Sequence, residues 1–206
     1  MTAHVLVLAA GASTRLGQPK QLVKLGGRPA LQIVISNAVA LAGHAVTVVL
    51  GAHAREITYL FQHSPAAWIL NREWEEGMAS SIRAGIAALP PACESVLILL
   101  GDQVAVTADD LKRLASASKG DHGTIAASAY QGRVGVPAIF PSLCFPVLAE
   151  LRGDQGARTI LERHRDRVVR VPMSSAALDL DTPEQLAELT ARFGHSCDDS
   201  LQQQES

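Results

Sequence analysis

The stretch HVLVLAAGASTRLGQPK, residues 4–20, sets the architecture of the chain. It begins with a short apolar run that does not alternate with polar residues, a pattern typical of a strand buried on both faces. A loop of small residues follows the run directly. In an α/β protein such a loop lies at the carboxyl end of a parallel sheet, which is where these sheets bind their ligands.

The same kind of apolar run recurs downstream, with helix-like segments between the runs. Further strands, also expected to be buried on both faces, are predicted at residues 45–50, 66–70, 95–100 and 124–130. Helices are predicted at residues 29–42, 53–63, 78–89 and 107–118, the last with Thr107 as its cap. This rhythm predicts parallel strands joined by right-handed crossovers.

Beyond residue 130 the rhythm changes. Strands are predicted at residues 137–141 and 167–172, and helices near residues 142–152, 156–165 and 183–193, the last with Thr182 as cap and Pro183 in its first position. Residues 195–206 are polar and lack apolar periodicity, so we expect a disordered tail. We predict one three-layer α/β domain over residues 1–194, with a mostly parallel, Rossmann-like central sheet.

Composition and charge exclude several classes of function. The net charge is −2 and the basic residues are scattered, so the chain lacks the positive surface that nucleic-acid binding needs. The apolar run at the start is too short for a signal peptide or a membrane span, and we expect no membrane partner. Three cysteines, each more than fifty residues from the next, favour reduced thiols and a cytoplasmic location.

The loop after the first strand has the chemistry of a polyphosphate site. Ala9, Ala10 and Gly11 let the backbone approach a ligand closely and offer amide donors, while Arg15 and Lys20 add positive charge. The loop is neither a P-loop nor a dinucleotide-binding fingerprint, because both glycine patterns are absent. The alternative is an ordinary glycine-containing turn with two solvated cations.

A resemblance to a known family becomes visible when later motifs are read with this loop. LAAGASTRLGQPKQL (8–22) is similar to the signature of the MobA-like nucleotidyltransferases, and most similar to the molybdenum cofactor cytidylyltransferase branch, because the guanylyltransferase branch usually has glycine where Ala10 stands. Further matches are Asn71, Trp74, GMASSI (77–82) with Gly85, LGDQ (100–103), GVP (135–137), GDQGAR (153–158) and DLDTPE (179–184). They span residues 5 to about 190.

The resemblance implies a fold of the nucleotide-diphospho-sugar transferase type and an activity. The enzyme would transfer CMP from CTP to molybdopterin carrying molybdenum and release pyrophosphate, with a molybdenum hydroxylase as a possible recipient of the product. The alternatives within the class are a GTP-using molybdopterin guanylyltransferase and a sugar-phosphate nucleotidyltransferase. The alternative from another class is a noncatalytic carrier or chaperone that delivers the cofactor to a molybdenum hydroxylase.

Carboxylates at two places suggest a Mg²⁺ site. Asp102 follows the strand at 95–100, so its carboxylate is expected at the same sheet edge as the first loop. Mg²⁺ usually takes one or two protein carboxylates plus substrate phosphates. Asp181 stands where the resemblance implies a second metal ligand, and we predict a strand here on which Asp179 and Asp181 point to one face. Capping of a turn by Asp102, and a helix start at Asp181, are the competing interpretations.

Nucleoside recognition is expected around the third helix. Gly77, Ser80 and Ser81 enter that helix, where free amides and hydroxyls can bond a base or ribose, and the resemblance implies the same role for them. Ser80 could equally cap the helix. Asn71 could serve this pocket or close a turn, and the resemblance assigns Gly101 to the nucleotide as well.

The acceptor is assigned to Asp154 and Arg158, although Asp154 could instead cap the next helix. In the expected reaction an acceptor phosphate attacks the α-phosphorus in line, and Lys20 with Arg15 stabilises the developing charge. A phosphate monoester is already anionic at neutral pH, so no general base is required. We predict that Lys20→Ala folds normally and loses most turnover.

Overall fold

The computed structural model describes residues 3–118 and 123–202, which contain alternating strands and helices. The strands are β1 (His4–Ala9), β2 (Lys24–Leu25), β3 (Arg28–Pro29), β4 (Val46–Leu50), β5 (Ala67–Leu70), β6 (Ser95–Leu100), β7 (Ile125–Tyr130), β8 (Arg133–Pro141) and β9 (Val168–Pro172). The helices are α1 (Ala30–Ala42), α2 (Ala54–Leu60), α3 (Met78–Ala87), α4 (Ala108–Ala117), α5 (Phe145–Ala149), α6 (Ala157–Arg163) and α7 (Pro183–Gln202).

Within this part of the chain, one seven-stranded sheet has the order β5-β4-β1-β6-β8-β7-β9, and β2 with β3 forms a separate small hairpin. β1 is the third strand in this order and pairs in parallel with both β4 and β6. β8 runs antiparallel to its neighbours β6 and β7, and every other neighbouring pair in the sheet is parallel. The predicted α/β domain with a mostly parallel sheet is confirmed.

The sheet separates two apolar layers. Val5 and Val7 of β1 face a cluster that includes residues of α1, α2, α4 and α7. Leu6 and Leu8 face the other cluster, which includes residues of α3, α5 and α6. Successive side chains of a strand point to opposite faces of the sheet. A strand that is apolar at every position is therefore buried on both faces, as predicted for residues 4–9.

The structure departs from the sequence-based expectations at the edge of the sheet and in the later half. β5 is an edge strand with Leu70 54% exposed, so the prediction of burial on both faces is wrong for residues 66–70. The helix expected at 142–152 is a short turn over Ser142–Cys144 followed by α5. The backbone of α7 continues past residue 193 to Gln202, and the disorder of residues 195–206 stays a prediction.

Two predicted helix caps are confirmed. Thr107 and Asp110 bond each other's backbone amides in a capping box at the start of α4. Thr182 and Gln185 do the same at the start of α7. No helix in residues 3–118 and 123–202 is long and apolar enough to cross a membrane.

Candidate active site

The loop after β1 is held by two side chains, Ser13 near its start and Gln21 at its far end. The backbone N–H of Lys20 donates to Ser13 Oγ at 3.1 Å. The buried side-chain amide of Gln21 donates to the carbonyl oxygens of Ala9 at 2.9 Å and Gly11 at 3.1 Å. The loop is therefore closed on itself, and it brings Lys20 back to the carboxyl end of β1.

Lys20 lies at the centre of a charged cluster. Its ammonium donates to Oδ2 of Asp102 at 2.5 Å and to Oδ1 of Asp181 at 2.6 Å. The second oxygen of Asp181 accepts a hydrogen bond from Arg15 Nη2 at 2.7 Å. The two cations of the first loop and the two candidate metal ligands are thus in direct contact, as the sequence predicted for a single site.

Asp102 reaches this cluster because β1 and β6 approach closely where they end. Gly101 N–H donates to the carbonyl of Leu8 at 2.9 Å, and a Cβ at Gly101 would lie 2.9 Å from the Cβ of Ala9. Only glycine avoids that overlap. The buried Gln103 side chain then bonds the backbone of β8 and fixes the turn that carries Asp102.

Asp179 and Asp181 lie in an irregular segment, so the predicted strand at this place is wrong. The N–H of Leu180 donates to the backbone carbonyl of Asp102 at 3.2 Å. This contact, rather than strand alternation, brings both acids beside Asp102. Asp181 also precedes α7 directly, and its N–H donates to Gln185 Oε1 at 3.0 Å, so the helix-start interpretation and the contact with Lys20 hold together.

The electrostatics of the cluster reflect an excess of acid. Burial alone would lower the pKa of Lys20, but the charge and hydrogen bonds of Asp102 and Asp181 outweigh burial and raise that pKa. Burial, together with the charges of Asp102 and Asp181, raises the pKa of Asp179 to about 6. Another cation close to these acids would therefore be electrostatically favoured.

The donor set fits a hard divalent cation. Asp102 Oδ1 is buried and lacks a hydrogen-bond partner, so this oxygen remains for another ligand. Across residues 3–118 and 123–202, no group of three or more His, Cys, Asp or Glu side chains is placed to hold a metal ion. A cation on Asp102 and Asp181 would need further oxygen ligands from the substrate, which is the usual arrangement for Mg²⁺.

A cleft of about 380 Å³ opens beside the cluster. Predicted site residues that line it are Ala9, Ala10, Gly11, Lys20, Gly77, Ser81, Gly101, Asp102 and Asp154. Predicted site residues outside its lining are Arg15, Asn71, Ser80, Arg158 and Asp181. Its volume is in the range of small-molecule sites, and its lining joins the ends of β1 and β6 to the start of α3.

The polar residues near α3 form a chain of hydrogen bonds behind Ser81. Asn71 Nδ2 donates to Ser80 Oγ at 2.8 Å and to Ser81 Oγ at 3.1 Å. The hydroxyl of Ser80 donates to the carbonyl of Gly77, the residue before α3, so Ser80 is not the N-cap. Because Ser81 Oγ already accepts from Asn71, its hydroxyl hydrogen is left to donate into the cleft. Asn71 orients Ser81.

The two residues assigned to the acceptor differ in position. Asp154 lines the cleft and does not cap α6, whose preceding residue is Gly156. Arg158 donates to Glu162 at 2.8 Å along α6, and its side chain is 58% exposed. The structure therefore brings Asp154, and not Arg158, to the cleft.

Six residues that line the cleft were not among the predicted site residues: Leu8, Gln21, Trp74, Glu75, Met78 and Leu100. The signal for Trp74 was present, since this residue matches the family pattern. Its position depends on Gly51, where a Cβ would lie 2.5 Å from the Cβ of Trp74 and 2.8 Å from the carbonyl oxygen of Ala10. Gln21 also lies in the matched stretch at 8–22, but its bonds to the backbone of its own loop were not predicted.

The chain is similar to curated proteins along most of its length. It is 31% identical over 195 residues to nicotine blue oxidoreductase of Paenarthrobacter nicotinovorans, covering 89% of this chain and 94% of the relative. It is 29% identical over 189 residues to purine catabolism protein PucB of Bacillus subtilis (strain 168), covering 86% and 91%.

Solved structures show the same similarity. The crystal structure of the Mycobacterium tuberculosis Rv0371c homologue from Mycobacterium sp. strain JC1 matches with a TM-score of 0.79 and 30% identity, covering 95% of this chain and 99% of that one. The model of the MobA-like NTP transferase domain matches residues 5–168, which include the first loop, Asp102 and Asp154. The chain belongs to the MobA-like NTP transferase family.

Proposed function

We propose that this nucleotidyltransferase is a Mg²⁺-dependent cytidylyltransferase that moves CMP from CTP to molybdopterin carrying molybdenum and releases pyrophosphate. Nucleotidyl transfer follows from family membership. The metal, the donor and the acceptor are proposed from the chemistry of the cleft and from the resemblance of the first loop to the cytidylyltransferase branch.

One observation supports the chemistry most: the Lys20 ammonium bridges Asp102 and Asp181 at 2.5 and 2.6 Å. A triphosphate entering along Ala10 and Gly11 offers Lys20 and Arg15 new anionic partners, and the two carboxylates are then released. When bound to them, Mg²⁺ would neutralise phosphate oxygens as a Lewis acid. The same residues therefore exchange partners when substrate binds.

In the transfer step these residues orient the phosphates and neutralise negative charge. An oxygen of the acceptor phosphate bonds to the α-phosphorus as the bond from that phosphorus to the β-phosphate oxygen breaks, and pyrophosphate leaves with the electron pair. Lys20 and Arg15 balance the charge that develops on the leaving group. The attacking oxygen is already anionic near neutral pH, so no residue needs to remove a proton.

The walls of the cleft support a pyrimidine donor. Ser81 presents a hydroxyl donor, which suits the O2 and N3 acceptors of cytosine. Ala10 lines the cleft, and its methyl group occupies space that glycine would leave open for a larger base. Trp74 also lines the cleft, and both Trp74 and the Ala10 carbonyl lie close to Gly51.

A screen of donors tests the proposal. Purified protein is incubated with each of the four NTPs, Mg²⁺ and molybdopterin or a sugar phosphate, and pyrophosphate release is measured. We expect release with CTP and molybdopterin only. Preference for GTP, or for a sugar phosphate, would replace the proposed donor or acceptor.

Assays on the same purified protein also distinguish the proposed transferase from a noncatalytic carrier and from an oxidoreductase. Tight binding of the cytidine dinucleotide cofactor without pyrophosphate release would indicate the noncatalytic carrier. The name of the first relative specifies an oxidoreductase, so substrate oxidation without any NTP requirement would indicate that class. Either result would contradict the proposed cytidylyl transfer.

A further inference from the structure

A second set of polar contacts lies beside the cleft and is centred on Arg83 of α3. Its guanidinium donates to both oxygens of Glu76, at 2.7 and 2.5 Å, and to the carbonyl of Leu151 at 2.9 Å. Only 20% of the Arg83 side chain is exposed. Arg83 thus ties the segment before α3 to the segment after α5 through one planar group.

The backbone of Gly153 makes two further hydrogen bonds to residues 76–79. Gly153 N–H donates to Glu76 Oε1 at 3.1 Å, and Ala79 N–H donates to the Gly153 carbonyl at 3.1 Å. Gly77, with φ of 121°, lies so close that a Cβ there would be 2.5 Å from Asp154 Oδ1. These contacts leave the two segments little freedom to move apart.

The joint lies behind the cleft, because Gly77 and Asp154 line the cleft whereas Arg83 and Glu76 do not. Hydrogen bonding to Arg83, followed by that to Gly153, lowers the pKa of Glu76 to about 2, so Glu76 stays ionised at neutral pH. The pair is internally satisfied and cannot serve as a charge for the substrate. Any effect on the reaction must pass through the segments that it joins.

We propose that Arg83 and Glu76 are positioning residues that hold the acceptor side of the cleft, residues 151–156, in register with the nucleoside side, residues 77–81. The inference rests on the proposed function, because it assigns Asp154 to the acceptor. Displacement of Asp154 weakens acceptor binding, while the contacts of Lys20 and Asp102 with the nucleotide are unchanged. The acceptor and the donor should therefore respond differently to loss of the joint.

Steady-state kinetics of three variants test the proposal. In Arg83→Met we expect the KM for molybdopterin to rise about tenfold or more, with the KM for CTP within about twofold of the unmodified enzyme. Arg83→Lys keeps the positive charge but not the planar guanidinium. Its KM for molybdopterin should lie between those of Arg83→Met and the unmodified enzyme. Glu76→Gln keeps an acceptor for Gly153 and should also be intermediate.

Arg113→Met is the matched control. Arg113 donates to Asp110 at 2.5 Å on α4, so this variant loses an arginine–carboxylate pair away from the cleft, whereas Arg83→Met loses the pair with Glu76 and the longer contact with Glu73. We expect both KM values of Arg113→Met to be unchanged. Equal rises of both KM values in Arg83→Met, an unchanged acceptor KM, or the same response in Arg113→Met would overturn the proposal.

Hydrogen exchange distinguishes failure of this inference from failure of the proposed function. With Arg83→Met, amide exchange in residues 151–156 should accelerate, while binding of CTP with Mg²⁺ by calorimetry stays the same. These two measurements need no acceptor, so they remain informative if molybdopterin is not turned over. Unchanged exchange in residues 151–156 would overturn the joint itself. If Arg83→Met does not fold, Arg83→Lys and Glu76→Gln give the same comparison.

Discussion

The two sides of the cleft differ in how their carboxylates are neutralised. We call the Lys20, Asp102, Asp179 and Asp181 cluster the nucleotide side. On the nucleotide side, burial and neighbouring acids raise the pKa of Asp179 to about 6, and Asp102 keeps an unpartnered buried oxygen. At the joint that holds the acceptor side, hydrogen bonds from Arg83 and Gly153 lower the pKa of Glu76 to about 2. One side retains negative charge that a further cation would neutralise, whereas the other is neutralised within the protein.

The difference shows how the two sides divide the work. The nucleotide side is built on the ends of β1 and β6 in the middle of the sheet, where the backbone is fixed and the side chains can exchange partners. The acceptor side is built on loops, and side-chain contacts at Arg83 give those loops a definite position. Under the proposed function, chemistry would therefore depend on the first side, and placement of the acceptor on the second.

Substitution of Lys20 is the strongest test of the nucleotide side. A cation about 4 Å from a phosphate charge contributes on the order of 4 kcal/mol at an effective dielectric of 20. We therefore expect Lys20→Met to lower turnover by about a thousandfold in the pyrophosphate-release assay. Lys24→Met, at an exposed lysine four positions away, is the control and should keep full turnover. Similar turnover in the two variants would contradict the proposed site.

The structure also changes the expectation for the folding of Lys20 variants. Lys20 neutralises Asp102, whose side chain is only 8% exposed, so its loss leaves a buried carboxylate without its partner. In the presence of a chelator, we expect the free energy of unfolding of Lys20→Met to be roughly 2–4 kcal/mol lower than that of the unmodified protein. Mn²⁺ should raise its melting temperature more than that of the unmodified protein. An equal response to Mn²⁺ would argue against a cation site on Asp102 and Asp181.

Most of the nucleotide side was predictable from sequence because it follows strands directly. The apolar runs at 4–9 and 95–100 predict two buried parallel strands, and the carboxyl ends of such strands meet at one edge. Lys20 and Asp102 could therefore be placed together. Asp181 was assigned correctly to this cluster by resemblance, but for a wrong local reason, since its position depends on the contact of Leu180 with the backbone of Asp102.

The acceptor side was much less predictable. Its geometry depends on the contact of Arg83 and Glu76 with the segment at Leu151, which is 68 residues from Arg83 in the chain, and these three residues belong to no recognisable motif. The antiparallel insertion of β8 between β6 and β7 was not evident either, because a fully buried strand has the same apolar run in both directions. Patterns along the chain report burial, whereas these features depend on contacts between distant segments.

Gly77→Ala tests, by steric means, the contact of Gly77 with the acceptor side at residues 153–154. The added Cβ would overlap Asp154 Oδ1 at 2.5 Å and the Gly153 carbonyl at 2.6 Å, in a backbone with φ of 121°. We expect a loss of about 2–3 kcal/mol in the free energy of unfolding. Gly153→Ala is the matched control, because Gly153 also has positive φ, 59°, but nothing lies within 4 Å of its Cβ position. Denaturant unfolding should show a loss of only about 1 kcal/mol for this control. Equal losses would mean that the two segments are not in close contact.

The smallest expected effect concerns the surplus acid of the nucleotide side. Because the pKa of Asp179 is raised to about 6 in the folded protein, against an ordinary value of 3.8, the folded state holds its proton more tightly than the unfolded chain does. The resulting cost to stability is absent below about pH 3.5, grows between about pH 4 and 6, and is constant above that range. In chelator at pH 7.5, Asp179→Asn should therefore be more stable than the unmodified protein by about 1–2 kcal/mol, allowing for the partial exposure of Asp179. The gain should vanish near pH 3.5 in denaturant unfolding.

Glu76→Gln should show the opposite sign, because the pKa of Glu76 is lowered rather than raised. The variant should lose stability at pH 7.5, and this loss should shrink as the pH falls from 4.5 towards 2. If both variants shifted stability in the same direction, the two sides of the cleft would not differ in their charge balance.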